Sequence, residues 1–175
     1  DITVRRFPVR RRDTQAFDRV NRKLMDGKQI SPKEEQIFVE EMVNSPQLYE
    51  YMRDAQDEYG LYVFIPYMFG TTYYGMQVCP EKSVLIPCFH DEAYVYMRLF
   101  RQAYVKARGM IYNAMPEMEL ANRVYDFTTT EQICMGIGMD TKIQSDADAF
   151  RKQFGIDKPF ILYAGRKDVG KNVHT

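Results

Sequence analysis

The pattern of apolar and polar residues predicts that the first third of the chain is mainly helical. Residues 2–9 alternate in polarity and predict one short strand, which Pro8 restricts to an edge position. Apolar residues then recur at helical spacing after Asp13, Ser31 and Ser45, and each of these side chains can cap a helix. A proline and a glutamate follow Ser31 at the spacing of a capping box. The predicted helices occupy about residues 13–25, the stretch after residue 31, and residues 45–60.

From residue 61 onward, short apolar runs alternate with more polar segments. The runs are typical of buried strands and occupy residues 61–67, 83–89, 110–114, 132–137 and 159–165. Between them lie a short segment at about 70–76 and predicted helices at about 92–108, 116–125 and 146–154. Nearly continuous apolar strands that alternate with helices indicate a parallel sheet with helices on both faces. The predicted fold class is therefore α/β, with a Rossmann-like doubly wound parallel sheet.

Composition narrows the functional classes. Hydrophobic residues make up 45% of the 175, and 24 basic side chains balance 24 acidic ones, which argues against a nucleic-acid binder. No apolar run approaches the roughly 18 residues of a membrane span. Three separate cysteines without a CxxC pair fit a reducing compartment. We therefore expect a soluble cytoplasmic domain, and, because the chain starts at Asp1 without a signal pattern, one cut from a longer protein.

Charge is unevenly distributed although its sum is zero. Arginines crowd the N-terminus at positions 5, 6, 10, 11 and 12, whereas acidic side chains predominate between residues 33 and 58. One interpretation is a solvated basic segment beside acidic helix faces. The alternative is a patch for an anionic acceptor or a membrane surface.

A histidine follows the apolar run 83–89, and His90 is itself followed by Asp91 and Glu92. Ligands of open α/β sheets bind outside the carboxyl ends of the strands, where His90 could bond a sugar hydroxyl or a phosphate oxygen. A merely structural hydrogen bond is the alternative. Asp91 is equally suited to cap the helix predicted to begin there. A thiolate pair of Cys88 with His90 is also conceivable, although a buried cysteine is the more usual case.

The last predicted strand ends at Gly165, and two cations follow it, Arg166 and Lys171. A glycine lets a ligand approach the backbone closely, a guanidinium binds phosphate in a forked geometry, and an ammonium acts as a point charge. The motif is no P-loop, because Asn172 stands where that loop has serine or threonine. A diphosphate site and an exposed basic turn are the two interpretations.

Two glycines, Gly136 and Gly138, follow the strand residues Gln-Ile-Cys-Met. Their spacing is part of a dinucleotide fingerprint, but the third glycine is missing and no helix starts there. A hinge or tight turn at a domain edge is the better interpretation.

Three motifs, taken in order, resemble a family-four glycosyltransferase, a retaining enzyme of GT-B architecture. They are residues 85–92 (LIPCFHDE), 136–140 (GIGMD) and 161–172 (ILYAGRKDVGKN). The segment around Asn113 and Glu117 adds support, since the family commonly has a strand, a loop and a helix at this place. The resemblance is strongest from about residue 62 onward.

The resemblance implies two Rossmann-like lobes that face each other across a cleft, the first for the acceptor and the second for a nucleotide-sugar donor. It implies that His90 is catalytic and approaches the donor sugar, and that Arg166 and Lys171 bind the donor diphosphate. Further residues implied at the cleft or hinge are Asp91, Glu92, Gly138 and Gly165. No metal and no cofactor is expected, because arginine and lysine take the place of a divalent ion.

Residues 1–140 are accordingly predicted to be part of the first lobe, and residues 141–175 the crossover and first strand of the second. The family's opening strand with its glycine-rich loop and its paired glutamates have no counterpart here, so we expect no turnover from this chain alone. Expected partners are a nucleoside diphosphate sugar and a glycan or lipid-linked acceptor, as in polysaccharide biosynthesis. Contact with a membrane surface and self-association through exposed sheet edges are further expectations, and nucleic acid is not a predicted partner. The alternatives are a nucleotide-sugar epimerase and a non-catalytic binding or assembly module.

Overall fold

The computed structural model describes residues 2–167 and 172–173. Contacts between Cα atoms divide the chain into two compact units, which meet in sequence between Ile137 and Gly138. Most of the described helices and all of the described strands belong to the first unit.

The helices of the first unit begin largely where local signals predict. Asp13 caps the first helix by accepting a hydrogen bond from the N–H of Ala16 at 2.9 Å. Ser31 and Glu34 form the predicted capping box, in which each side chain accepts a hydrogen bond from the backbone N–H of the other. The helices are α1 (Thr14–Met25), α2 (Pro32–Glu40), α3 (Pro46–Asp54), α4 (Gly70–Met76), α5 (Arg98–Tyr104) and α6 (Met115–Val124). α3 stops earlier than predicted, because a short 3₁₀ turn over Gln56–Glu58 replaces its last turn.

The strands form one four-stranded sheet in which all neighbours are parallel. They are β1 (Tyr62–Phe64), β2 (Ser83–Leu85), β3 (Gly109–Tyr112) and β4 (Glu131–Cys134). Each is shorter than the apolar run that predicted it. The prediction of an α/β fold with a Rossmann-like parallel sheet is confirmed.

The described strands differ from a doubly wound sheet in their order, which is β1-β2-β3-β4. A doubly wound sheet reverses its strand order, and right-handed connections between strands added in one direction all lie on the same face. On one face Leu85 and Met110 are 0% and 1% exposed; on the other face the edge-strand residues Val63 and Ile133 are 55% and 54% exposed, and Val84 in the central β2 is 9% exposed. The expectation of helices on both faces is therefore wrong for the described residues.

The strand predicted over residues 2–9 is also wrong. This segment has no regular secondary structure and pairs with none of the described strands. Ser45 donates a hydrogen bond from Oγ to the carbonyl of Pro8 at 2.7 Å, and the N–H of Arg10 bonds the carbonyl of Asn44 at 2.8 Å. The ring of Phe7 packs against Tyr51 with centroids 5.3 Å apart. These contacts hold the segment against the N-terminal helices without hydrogen bonds to a neighbouring strand.

The long helix predicted over residues 92–108 is interrupted. A 3₁₀ turn covers Ala93–Tyr96, Met97 is extended with φ −60° and ψ 131°, and only then does α5 begin. The cause lies in α2, where the buried carboxylate of Glu35 accepts hydrogen bonds from the N–H groups of Arg98 and Leu99 at 2.8 and 3.0 Å. A distant side chain thus caps α5 and fixes where it starts.

The second unit contains α7 (Ala147–Phe154), which Asp146 caps as predicted by accepting from the N–H of Ala149 at 2.8 Å. Gly155 ends it in the left-handed conformation, with φ 63°. The strand predicted over residues 159–165 is absent: these residues are irregular, and Ile161 is 100% exposed. A lone apolar run does not form a strand where the described structure gives it no partner strand.

Candidate functional site

His90 lies five residues beyond the end of β2, on the edge of the sheet where the parallel strands end. Its side chain is exposed and makes no hydrogen bond or ion pair with any residue in the described part of the chain. The loop that carries it brings Cys88 and Phe89 close to Asn113, the first residue after β3. The imidazole is therefore free to meet a ligand at the carboxyl ends of two neighbouring strands.

Glu117 in the first turn of α6 holds both of these loops. Its buried carboxylate accepts a hydrogen bond from the N–H of Phe89 at 2.9 Å and another from the N–H of Asn113 at 2.8 Å. Hydrogen bonds to an ionised acceptor are stronger than neutral ones, and more so when water is excluded. The backbone beside His90 is therefore fixed by a side chain that the sequence marked only as part of a segment supporting the family resemblance.

Cys88 has a left-handed backbone with φ 56°, which is uncommon for a residue with a side chain. Its Sγ accepts a hydrogen bond from Nδ2 of Asn113 at 3.4 Å. Burial raises the pKa of the thiol, which favours the protonated form. The structure thus gives no support to a thiolate pair with His90, and Cys88 instead shapes the turn that leads to the histidine.

Asp91 and Glu92 do not begin a helix, so the prediction that Asp91 is an N-cap is wrong. Asp91 forms an exposed ion pair with Arg123 of α6 at 2.9 Å and accepts a hydrogen bond from the hydroxyl of Tyr96 at 2.6 Å. Glu92 accepts a hydrogen bond from the hydroxyl of Tyr67 at 3.1 Å. Burial and the nearby Glu92 carboxylate raise the pKa of Tyr67, which stays protonated and donates. The two carboxylates therefore hold the loop after His90 in place, Asp91 through Arg123 and Tyr96, and Glu92 through Tyr67.

The other predicted site residues belong to the second unit. Gly138 is its first residue and is exposed. At Gly165 an added Cβ would come within 2.6 Å of the Tyr163 hydroxyl, which donates to the carbonyl of Arg166 at 3.0 Å. The Arg166 residue is exposed. Lys171 lies outside the described residues.

A cavity of about 640 Å³ lies beside β1, in a region that the sequence motifs do not mark. Its walls combine tyrosines from α3, from the following loop and from β1 with residues of the N-terminal segment. None of these tyrosines is among the site residues predicted from the sequence. A signal was present in Tyr51, Tyr59 and Tyr62, whose closeness in sequence brings three rings to one edge of the sheet.

Metal ligation and membrane insertion find no support in the described residues. They include no group of three or more histidine, cysteine, aspartate or glutamate side chains arranged to hold a metal ion. None of the described helices has both the length and the apolar character that a membrane span requires.

Comparison with known proteins finds no matching family model, no matching curated protein and no matching solved structure. Function must therefore be argued from the residues and their geometry.

Proposed function

We propose that this chain is part of a retaining glycosyltransferase of GT-B architecture, which transfers a sugar from a nucleoside diphosphate to a glycan or lipid-linked acceptor. The three ordered motifs and the all-parallel Rossmann-like sheet support this proposal. The observation that carries it is the exposed imidazole of His90 beside a backbone that Glu117 holds in place. A free polar side chain on a rigid loop at the carboxyl edge of a parallel sheet is suited to bind a ligand.

In the proposed reaction, His90 binds a hydroxyl of the donor sugar and orients the anomeric carbon. The acceptor oxygen bonds to that carbon while the bond to the diphosphate breaks, and the proton of the acceptor hydroxyl leaves with the diphosphate. Negative charge develops on the departing group, and preorganised cations stabilise it. Arg166 and Lys171 are the cations proposed for this role, which requires no divalent metal.

The test is binding of uridine, guanosine and adenosine diphosphate glucose, measured by calorimetry. It is performed on this chain and on the full-length enzyme that the resemblance implies. Arg166→Ala should weaken binding of the preferred donor to the full-length enzyme by at least about tenfold, because a charged contact to phosphate is lost. The control is Lys158→Ala, which removes an exposed cation from the same unit outside the basic motif.

Transfer is measured in the same full-length enzyme. His90→Ala should lower the transfer rate by about 100-fold while donor affinity changes less, as expected for a contact that matters most in the transition state. Donor binding that is unaffected by Arg166→Ala contradicts the diphosphate assignment. Absence of donor binding to both proteins contradicts the transferase proposal and favours an assembly module.

A further inference from the structure

The cavity beside β1 has the size and lining of a small-molecule site. Its volume of about 640 Å³ falls within the range of roughly 300–1,000 Å³ that is typical of ligand pockets. Residues from five parts of the first unit line it, including Arg5, Tyr51, Tyr59, Tyr62, Val63 and Thr71. His90 is not among them, so this is a second candidate site.

The tyrosines form a connected row of rings. Tyr59 lies between the other two, with its ring centroid 6.3 Å from that of Tyr51 and 5.5 Å from that of Tyr62. The hydroxyls of Tyr51 and Tyr59 are 2.5 Å apart and share a hydrogen bond. Tyrosine offers an electron-rich face together with a polar hydroxyl. The weakly positive C–H groups of a pyranose ring stack on such faces, while its hydroxyls bond to the phenol oxygens.

The free edge of β1 adds backbone groups to this cavity. The carbonyl of Phe64 accepts from the N–H of Ile86, at 2.9 Å, so Phe64 points its backbone groups toward β2. Because the backbone groups of alternate residues in a parallel edge strand point to opposite sides, Val63 directs its N–H and C=O groups away from the sheet. Val63 and Ile65 both line the cavity. A sugar hydroxyl can donate one hydrogen bond and accept another, so it can bond to a backbone N–H and a nearby C=O group at the same time.

Arg5 gives the cavity a positive charge. Its guanidinium carbon lies 5.1 Å from the centroid of the Tyr51 ring, and within the described residues it has no salt-bridge partner. A hydrogen bond with the Tyr59 side chain is the main cause that raises the pKa of Arg5. Stacking on the Tyr51 ring leaves the remaining N–H groups in the guanidinium plane available for a forked contact with a carboxylate.

We propose that this cavity binds an acidic oligosaccharide, with pyranose rings stacked on the tyrosines and a carboxylate of the sugar paired with Arg5. Its role as the acceptor subsite rests on the proposed function, whereas binding itself requires no transfer. An extended peptide paired with β1 fits less well. This strand has only three residues, so it offers few of the main-chain bonds on which strand addition depends.

The test uses trimers of glucuronate, galacturonate and mannuronate, together with their methyl esters, which keep the sugar and remove the charge. Calorimetry on this chain should detect binding of at least one acid trimer, and its ester should bind about tenfold more weakly, as expected for loss of a charged hydrogen bond. Arg5→Gln should abolish that difference. The matched control is Arg6→Gln, which removes a neighbouring exposed arginine that does not line the cavity.

Tyr51→Ala should weaken binding of both the acid and its ester, because it removes a stacking face. Since Tyr51 also packs on Phe7, Tyr59→Phe serves as a second variant that keeps the ring and removes only one hydroxyl. Amide signals of Val63 and Thr71 should shift on titration with the acid trimer. The proposal is overturned if no trimer binds, if Arg5→Gln leaves the preference for the acid intact, or if an extended apolar peptide binds the edge of β1 and the sugars do not.

Failure of this proposal is distinguishable from failure of the proposed function. Uronate binding is measured without nucleotide and depends on Arg5, whereas donor binding depends on Arg166. Uronate binding without donor binding would support a carbohydrate-binding module and contradict the transferase proposal. Donor binding without uronate binding would support the transferase proposal and contradict the acidic-sugar subsite.

Discussion

Glu117 fixes the backbone of Phe89, which lies 28 positions away in sequence. The N–H of Phe89 donates a hydrogen bond to Oε1 of Glu117 at 2.9 Å. The second carboxylate oxygen accepts from the N–H of Asn113 at 2.8 Å. One buried side chain therefore joins the loops that follow β2 and β3. The position of His90 depends on this link, because His90 is the next residue after Phe89 in the chain.

Glu117→Ala should destabilise the fold by about 3 kcal/mol, because two N–H groups lose a charged acceptor and the Phe89 N–H is buried. The measurement is equilibrium unfolding in urea. Glu119→Ala is the control, since Glu119 is an exposed residue of the same helix and its loss should change stability by less than about 0.5 kcal/mol. Equal effects of the two substitutions would contradict the structural role of Glu117.

Glu35→Ala should release the start of α5. The carboxylate of Glu35 accepts from the N–H groups of Arg98 and Leu99, and its removal should cost about 2 kcal/mol, as does the loss of a strong helix cap. Amide hydrogen exchange should accelerate at Arg98 and Leu99. Lys33→Ala, in the same helix and exposed, is the control. Unchanged exchange at both amides would show that α5 does not need this cap.

These two glutamates mark the limit of what the sequence predicts about the fold. The capping box at Ser31 and Glu34 was predictable, because both partners lie within one helical turn. Glu35 stands next to Glu34 in sequence but acts on Leu99, 64 positions away. An uninterrupted apolar pattern over residues 92–108 therefore indicated one helix, although a distant carboxylate divides it.

The same distinction applies to the candidate site. The place of His90 follows from the apolar run before it, since the residue after a buried parallel strand lies at the carboxyl edge of the sheet. A helix cap was one interpretation of Asp91, but the helix starts later and Asp91 pairs with Arg123, 32 positions on. The tyrosine cavity was missed because abundant tyrosines resemble core residues until the packing of their rings is known.

Gly70→Ala should be poorly tolerated. A Cβ at this first position of α4 would lie 2.5 Å from the carbonyl oxygen of Val39 and 3.0 Å from that of Val43, and both atoms belong to the backbone. The helix would have to move, at a cost of about 1–3 kcal/mol. Thermal or urea unfolding measures the loss.

Gly60→Ala is the matched substitution in open space. An added Cβ there meets no heavy atom of the described residues within 4 Å, and the backbone is not left-handed. It should leave stability unchanged or raise it by up to about 1 kcal/mol, because alanine restricts the unfolded chain more than glycine does. Similar losses for both alanines would contradict the close approach of α4 to Val39.

Glu34 should make the fold sensitive to acid. The hydrogen bond from Lys23, followed by those from Ser31, lowers the pKa of the Glu34 carboxyl from 4.5 to about 2. A carboxyl whose pKa is lower in the folded than in the unfolded protein stabilises the fold at pH values above the pKa of the unfolded state. This contribution is lost as the pH falls through the pKa of the folded state. The urea midpoint of the native protein should therefore exceed that of Glu34→Gln at pH 6, and the difference should shrink between about pH 4.5 and pH 2. Glu50→Gln is the control, because Glu50 is exposed and makes no side-chain hydrogen bond within the described residues. A difference that is constant over this range would show that Glu34 acts through its uncharged contacts alone.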